Sequence, residues 1–206
     1  MIDIAIIDGR GLVFDVKQIE ELRSKHHICG ILTGVLPQFP QQNVFMGLPL
    51  QLMPEDVWYL VDQDLARLVD SKRAHEEFYK DKEPEEEASS GMVRIASATK
   101  HGLSPHSHAR MPNPEAYLMY KYLMAQGLYI MPGLRFGCQY MVYPGDPLRY
   151  HAHYNALGKS WREPFPVLDI VRSGRLATSV KKNWVIGAES PDGEYRVFSI
   201  EWAAFG

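Results

Sequence analysis

The run from Lys80 to Gly91, KDKEPEEEASSG, constrains the fold more than any other feature of the sequence. Charges, a proline, serines and a glycine replace the apolar periodicity found on either side, so this stretch has little to bury and is expected to stay in water. The same character continues from Lys100 to Arg110, KHGLSPHSHAR, which includes Gly102 and Pro105. A chain interrupted in this way is not expected to close around one continuous core. The expected organisation is an N-terminal domain at 1–78, a linker at 79–112 and a second domain at 113–206. The 206 residues are enough for two small domains.

The division changes the meaning of the charge. A net charge of −3 spread evenly would count against binding a polyanion, which rests on Lys and Arg neutralising phosphates. Residues 1–111, however, hold 12 basic and 17 acidic side chains, whereas residues 112–206 hold 10 basic and 8 acidic. Only the second half is suited to approach phosphate. No stretch reaches the roughly 18 uninterrupted apolar residues that a membrane span needs. The opening MIDIAIIDGRG lacks a basic start and carries Asp3 and Asp8, so no secretory signal is expected. Cys29 and Cys138 are too few for a disulfide framework or a four-cysteine zinc site, and a reducing compartment is the expectation.

In the first half, Ile2 to Ile7 and Gly11 to Phe14 read as strands around a turn at Asp8-Gly9. Asp15 followed by Gln18 predicts a capped helix to about Lys25; Ile28 to Leu36 reads as a buried strand, and Pro54 opens a helix predicted to run to Tyr79. This small α/β unit holds no cluster of reactive groups and reads as scaffold. In the second half, Asn113 and Pro114 start a helix that Gly127 closes. A hairpin follows, from Leu128 to Met131 and from Gln139 to Tyr143. Then come a strand at Leu148 to Asn155, a short helix at Val167 to Arg172 ended by Gly174, and strands at Ser179 to Gly187 and Tyr195 to Ala203. The expected class is α+β, with a mixed, mostly antiparallel sheet.

The segment YPGDPLRYHAHY, Tyr143 to Tyr154, carries the most chemistry. Alternation along the predicted strand puts Arg149, His151 and His153 on one face, beside a turn that ends the strand of Tyr143. In KKNWVIG, Lys182 alternates with Trp184 and Ile186, so its ammonium should emerge from apolar surroundings, where a lysine either snorkels or works. RNA cleavage by the RNA's own 2′-hydroxyl needs such groups and no metal: a base for the 2′ proton, an acid for the leaving 5′ oxygen and a cation for the phosphorane. His151 suits the acid. Tyr143 suits the base only if cations such as Arg149 or Lys182 lower its pKa from about 10. Spacing alone leaves two alternatives open. Each residue could be an ordinary structural group, and the pairs His106/His108 and His151/His153 could bind zinc, although neither has an obvious third ligand.

The block RFGCQYMVYPGDPLRYHAHY, with GRLATSVKKNWVIG, the terminal FSIEWAAFG and the earlier HHICGILTGVLPQFPQQNVFMGLPLQLMPEDVW, resembles the tRNA-splicing endonuclease family. Within it the likeness is to the eukaryotic, fungal-type catalytic subunits that cleave the 3′ splice site. The resemblance implies a restriction-endonuclease-like nuclease domain, no cofactor, and cleavage that leaves a 2′,3′-cyclic phosphate and a 5′-hydroxyl. It implies Tyr143 as general base, His151 as general acid and Lys182 as the transition-state lysine, with His153 a neighbour outside the reaction. It implies that Arg175 and Trp202 grip a flipped nucleotide at the other catalytic subunit's site, though Phe198, Ile200 and Trp202 alternate as a core face would. Arg149 and Lys181 are further RNA-binding expectations. The implied partners are precursor tRNA, a second catalytic subunit and two non-catalytic subunits, in a heterotetramer. The implied location is the nucleus or, as in some fungi, the cytoplasmic face of the mitochondrial outer membrane. A vestigial subunit of the same assembly is the alternative role. The linker is shorter than in fungal relatives, and Cys138 stands where glycine is usual.

Overall fold

A computed structural model describes residues 1–35, 46–69 and 109–203, so the acidic run, His106 and His108 lie outside the described residues. These residues form two units: 1–14 with 32–35, 46–69 and 109–111, and 15–31 with 112–203.

In the first unit, β1 (Ile2–Ile7) and β2 (Arg10–Val13) pair through a two-residue turn whose Asp8 and Gly9 both take positive φ, 50° and 74°. That handedness matches the strand twist, which is why Asp-Gly suits the position. The sheet order is β3 (Ile31–Val35), β4 (Met46–Gln51), β2, β1, β5 (Ala66–Val69). Helix α2 (Pro54–Asp62) supplies buried Val57 and Leu60. It stops far short of the predicted Tyr79: Asp64 turns left-handed (φ 55°), Ile2 N–H donates to Leu65 O at 2.9 Å, and β5 runs parallel to β1. Ala66 and Leu68 are buried and the intervening Arg67 pairs with Asp3, a period-two pattern that a helix would waste. Nor is Ile28 to Leu36 one buried strand. Ile28 and Cys29 are buried ahead of β3, and Ile31 and Leu32 are exposed on the sheet's edge. Residues 109–111, expected as linker, return to this unit, with Arg110 N–H on Gly9 O and the Trp58 indole on Arg110 O.

In the second unit, Asn113 Oδ1 accepts from Ala116 N–H at 2.9 Å and opens α3 (Pro114–Ala125); Gly127, at φ 71°, follows its end. The sheet order is β10 (Tyr195–Ile200), β9 (Asn183–Glu189), β8 (Tyr154–Gly158), β7 (Tyr140–Tyr143), β6 (Tyr129–Pro132). Only β8 and β9 run parallel, so the sheet is mixed and mostly antiparallel, and the class is α+β as expected. Met119 of α3 packs at Gly158 and Gly187 on one face. Ala177 of α4 (Val167–Ser179) packs with Trp184 and Ile186 on the other. Helix α4 is longer than predicted because Gly174 sits inside it, facing Ile200 and Trp202, and the helix closes only where Lys182 N–H reaches Ala177 O at 2.8 Å. Strand β9 therefore starts at Asn183 rather than Ser179.

Helix α1 (Val16–Lys25), capped by Asp15 as predicted, was expected in the first half but belongs to the second unit. Its Arg23 guanidinium grips Asp146 through Nε and Nη2, both at 2.6 Å. Tyr129 Oη donates to Arg23 O at 3.2 Å, and the His27 ring stacks on Tyr129 at 4.6 Å. Non-local contacts of this kind leave no trace in local sequence. Among the described residues no helix is long and apolar enough to cross a membrane.

Two measurements test this packing. A Cβ on Gly158 would lie 2.3 Å from Glu115 O, so Gly158→Ala should cost about 1–3 kcal/mol in thermal unfolding; an unchanged Tm would refute the close approach. The Arg23 guanidinium holds Asp146 down at about 2. A carboxyl whose pKa is depressed on folding contributes stability above its unfolded value, near 3.9, and loses it as pH falls through the folded one. The stability gap between wild type and Asp146→Asn, about 1–2 kcal/mol near neutrality, should therefore shrink between about pH 4 and about pH 2 and not above.

Candidate active site

The ladder of the second sheet aligns three strand ends. Val142 of β7 pairs Tyr154 of β8, and Tyr154 pairs Asn183 of β9. Bonds from His153 N–H to Val142 O (2.8 Å) and from Asn183 N–H to His153 O (3.0 Å) carry the alignment one residue further. Residues opposite one another share a face, so Tyr143, His153 and Lys182 fall on the α4 side, continued inward by Asn155 and Leu157 on β8 and Trp184 on β9. His151 and His153 are exposed and Ala152 is buried, with no strand formed at these three residues. Tyr143, His153 and Lys182 thus stand opposite one another at one end of three adjacent strands, and His151 lies two residues before His153 in the segment that leads into β8.

Arg149 does not join them by alternation, because the strand predicted from Leu148 is a tight turn instead. Asp146 Oδ1 accepts from Leu148 N–H at 2.8 Å, and Asp146 O accepts from Arg149 N–H and Tyr150 N–H at 2.8 and 3.0 Å. The Tyr150 ring lies over Gly145, where any Cβ would meet it at 2.6 Å. Arg149 is exposed on that turn, and its charge adds to Arg23 in lowering the Asp146 carboxyl. The sequence marked Asp146 only as a turn former and gave no sign of Arg23, whose partner lies 123 residues away.

Lys182 is half-buried, as apolar surroundings required. Its Nζ donates to Val180 O at 3.1 Å and sits 5.5 Å from the Phe136 ring centroid, a contact no spacing suggested. The expectation for Tyr143 is corrected: burial raises its phenol above the ordinary value, and neither Arg149 nor Lys182 offsets this. Cys138 is buried, donates its thiol to Gly133 O at 3.3 Å, and is pushed by burial to about 11, so it stays protonated near neutrality.

Arg175 is exposed on α4. Trp202 is 40% exposed and lies against Gly174, the residue before Arg175, with Cε3 3.9 Å from the place a Cβ would take. Phe198 is 54% exposed, so the stripe Phe198, Ile200, Trp202 is not simply a core face. Lys181 is exposed at a left-handed position (φ 55°) at the end of α4. Both cysteines are buried and neither forms a disulfide, and among the described residues no three His, Cys, Asp or Glu side chains gather as metal ligands.

Residues 2–71 match the family described as TSEN34-like, N-terminal domain, and residues 114–199 match tRNA intron endonuclease, catalytic C-terminal domain. The probable tRNA-splicing endonuclease subunit sen34 of Schizosaccharomyces pombe is 32% identical over 277 aligned positions, covering 98% of each chain. Those positions outnumber the 206 residues here, so the relative carries insertions. The tRNA-splicing endonuclease subunit SEN34 of Saccharomyces cerevisiae is 30% identical over 95% of this chain and 99% of its own; the human Sen34 subunit is 24% identical over 99% of both. With both units matched and the alignment running nearly end to end, the chain belongs to the tRNA-splicing endonuclease family.

Proposed function

We propose that this chain is a catalytic subunit of a tRNA-splicing endonuclease that cuts intron-containing precursor tRNA at the 3′ exon–intron junction, without a metal. The observation that supports this reading is the register that puts Tyr143 and Lys182 at aligned strand ends on one face, with His151 two residues before His153, which stands between them. Tyr143 takes the proton of the 2′-hydroxyl, whose oxygen attacks the adjacent phosphorus. His151 gives a proton to the 5′ oxygen as that P–O bond breaks, and Lys182 stabilises the phosphorane. The products are a 2′,3′-cyclic phosphate and a 5′-hydroxyl.

Half-burial suits Lys182, because an ammonium aimed from apolar surroundings acts more strongly on developing charge than one in water. Arg149, on the turn after Tyr143, and Lys181, next to Lys182, are exposed cations suited to phosphate. Arg175 and Trp202, adjacent on and against α4, suit stacking of a flipped base at a second catalytic subunit's site. Assembly with that subunit and two non-catalytic ones fits β10, an edge strand with an exposed Phe198. The proposed location is the nucleus; imaging the tagged chain separates it from the mitochondrial surface.

Cleavage by the reconstituted assembly is the test. His151→Ala should slow 3′-junction cutting by about 10²–10⁴-fold and Lys182→Ala by about 10²–10³-fold, with wild type active in EDTA. Inhibition by EDTA, a 3′-hydroxyl on the intron-side cut, or full activity of His151→Ala would refute the reading. The raised phenol of Tyr143 sets the pH dependence. As pH rises toward that raised value its phenolate becomes commoner, so the residual rate of His151→Ala, which reports the base without the acid, should keep rising through about pH 10. A residual rate that levels off by about pH 9 would contradict a raised Tyr143 as the base.

A further inference from the structure

Tyr143 is the last residue of β7 and keeps ladder contacts to β6 through its pairing with Tyr129. His151 has no comparable support. It lies outside any strand, is exposed, and among the described residues its side chain makes no hydrogen bond. Its backbone is held from one side by β8, whose ladder begins at His153 N–H, and from the other by the turn that ends at Tyr150. That turn is organised by a single residue. Asp146 accepts the N–H groups of Leu148, Arg149 and Tyr150, the first through its carboxylate and the other two through its carbonyl. The carboxylate is in turn clamped by both Nε and Nη2 of Arg23, at 2.6 Å each, on a helix more than a hundred residues earlier. A two-point fork of this kind fixes orientation as well as distance, which a lysine at the same place could not do.

We infer that Arg23 is a positioning residue for the cleavage reaction: acting through Asp146, it holds the Pro144–Tyr150 turn in the shape that aims His151 at the leaving oxygen. The N-terminal helix α1 therefore contributes to the geometry of the acid and not to that of the base, because Tyr143 is held by its own strand. Tyr129 Oη on Arg23 O and the His27–Tyr129 stack seat α1 at the same corner, so the clamp stands on a packed base. A misplacement of about 1 Å is enough to cost roughly 10²-fold in a proton transfer that depends on alignment.

This inference rests on the proposed role of His151, and a sulfur-substituted substrate separates the two. A precursor tRNA whose 3′ junction carries a 5′-bridging phosphorothiolate expels a thiolate, which needs no proton from an acid. On the ordinary substrate, Arg23→Ala should lower kcat about 10- to 100-fold with KM within about twofold, and Arg23→Lys should recover only part of the loss. On the sulfur substrate, Arg23→Ala and His151→Ala should both approach the wild-type rate, whereas Tyr143→Phe should remain slow. The Arg23→Asp, Asp146→Arg double variant serves as a second probe and should cleave faster than either single variant. An equal Arg23→Ala defect on the two substrates, or a rise in KM with kcat unchanged, would overturn the positioning role while leaving His151 as the acid. If sulfur fails to rescue His151→Ala itself, the assignment of the acid falls instead.

Discussion

Strand β9 is buried on both faces from Trp184 to Ala188, and the second unit is organised by that requirement. A strand with no polar face must be covered twice, so α3 lies over one side and α4 over the other. Gly158 and Gly187 exist for this reason. They give up side chains so that α3 can approach the sheet closely. Because β9 runs parallel to β8 while β7 runs against it, the end of β7 falls beside the starts of both others. The end of the sheet that gathers the candidate residues is a consequence of covering its middle.

That end combines groups in contrasting environments. Lys182 is half-buried and aimed from beneath an aromatic ring, His151 is in water, and Tyr143 pays a desolvation penalty that holds its proton. Among the described residues no cation relieves Tyr143. The phosphates of a bound RNA would only strengthen its hold on the proton, so in the proposed mechanism the base acts through a small phenolate fraction. Arg149 and Lys181 are exposed, and neither lowers the phenol. A surplus this modest suits contact with a few phosphates only, so the proposed function looks to the other subunits for further positive charge.

The division of the chain is also less linear than its composition implies. Helix α1 precedes most of the first unit in sequence yet packs with the second, held by Arg23 on Asp146 and by Tyr129. Residues 109–111 do the reverse, returning to Gly9 and Trp58. Removing the first half as dispensable scaffold would therefore take away the Arg23 clamp on the turn between Tyr143 and His151.

The sequence by itself determined whatever depends on a residue and its near neighbours. Asp8-Gly9 dictated a tight hairpin, Asp15 and Asn113 dictated helix starts, and the identities and spacing of Tyr143, His151 and Lys182 named the candidate chemistry. These signals act within about one turn of backbone. Tertiary structure decided where α2 stops, because β5 gains a partner in β1 that the helix pattern could not foresee. It decided that Leu148 to Tyr150 is a turn rather than a strand, because Asp146 answers to Arg23. It also raised the phenol of Tyr143, since burial depends on what the rest of the chain places around a group and not on the group's neighbours in sequence.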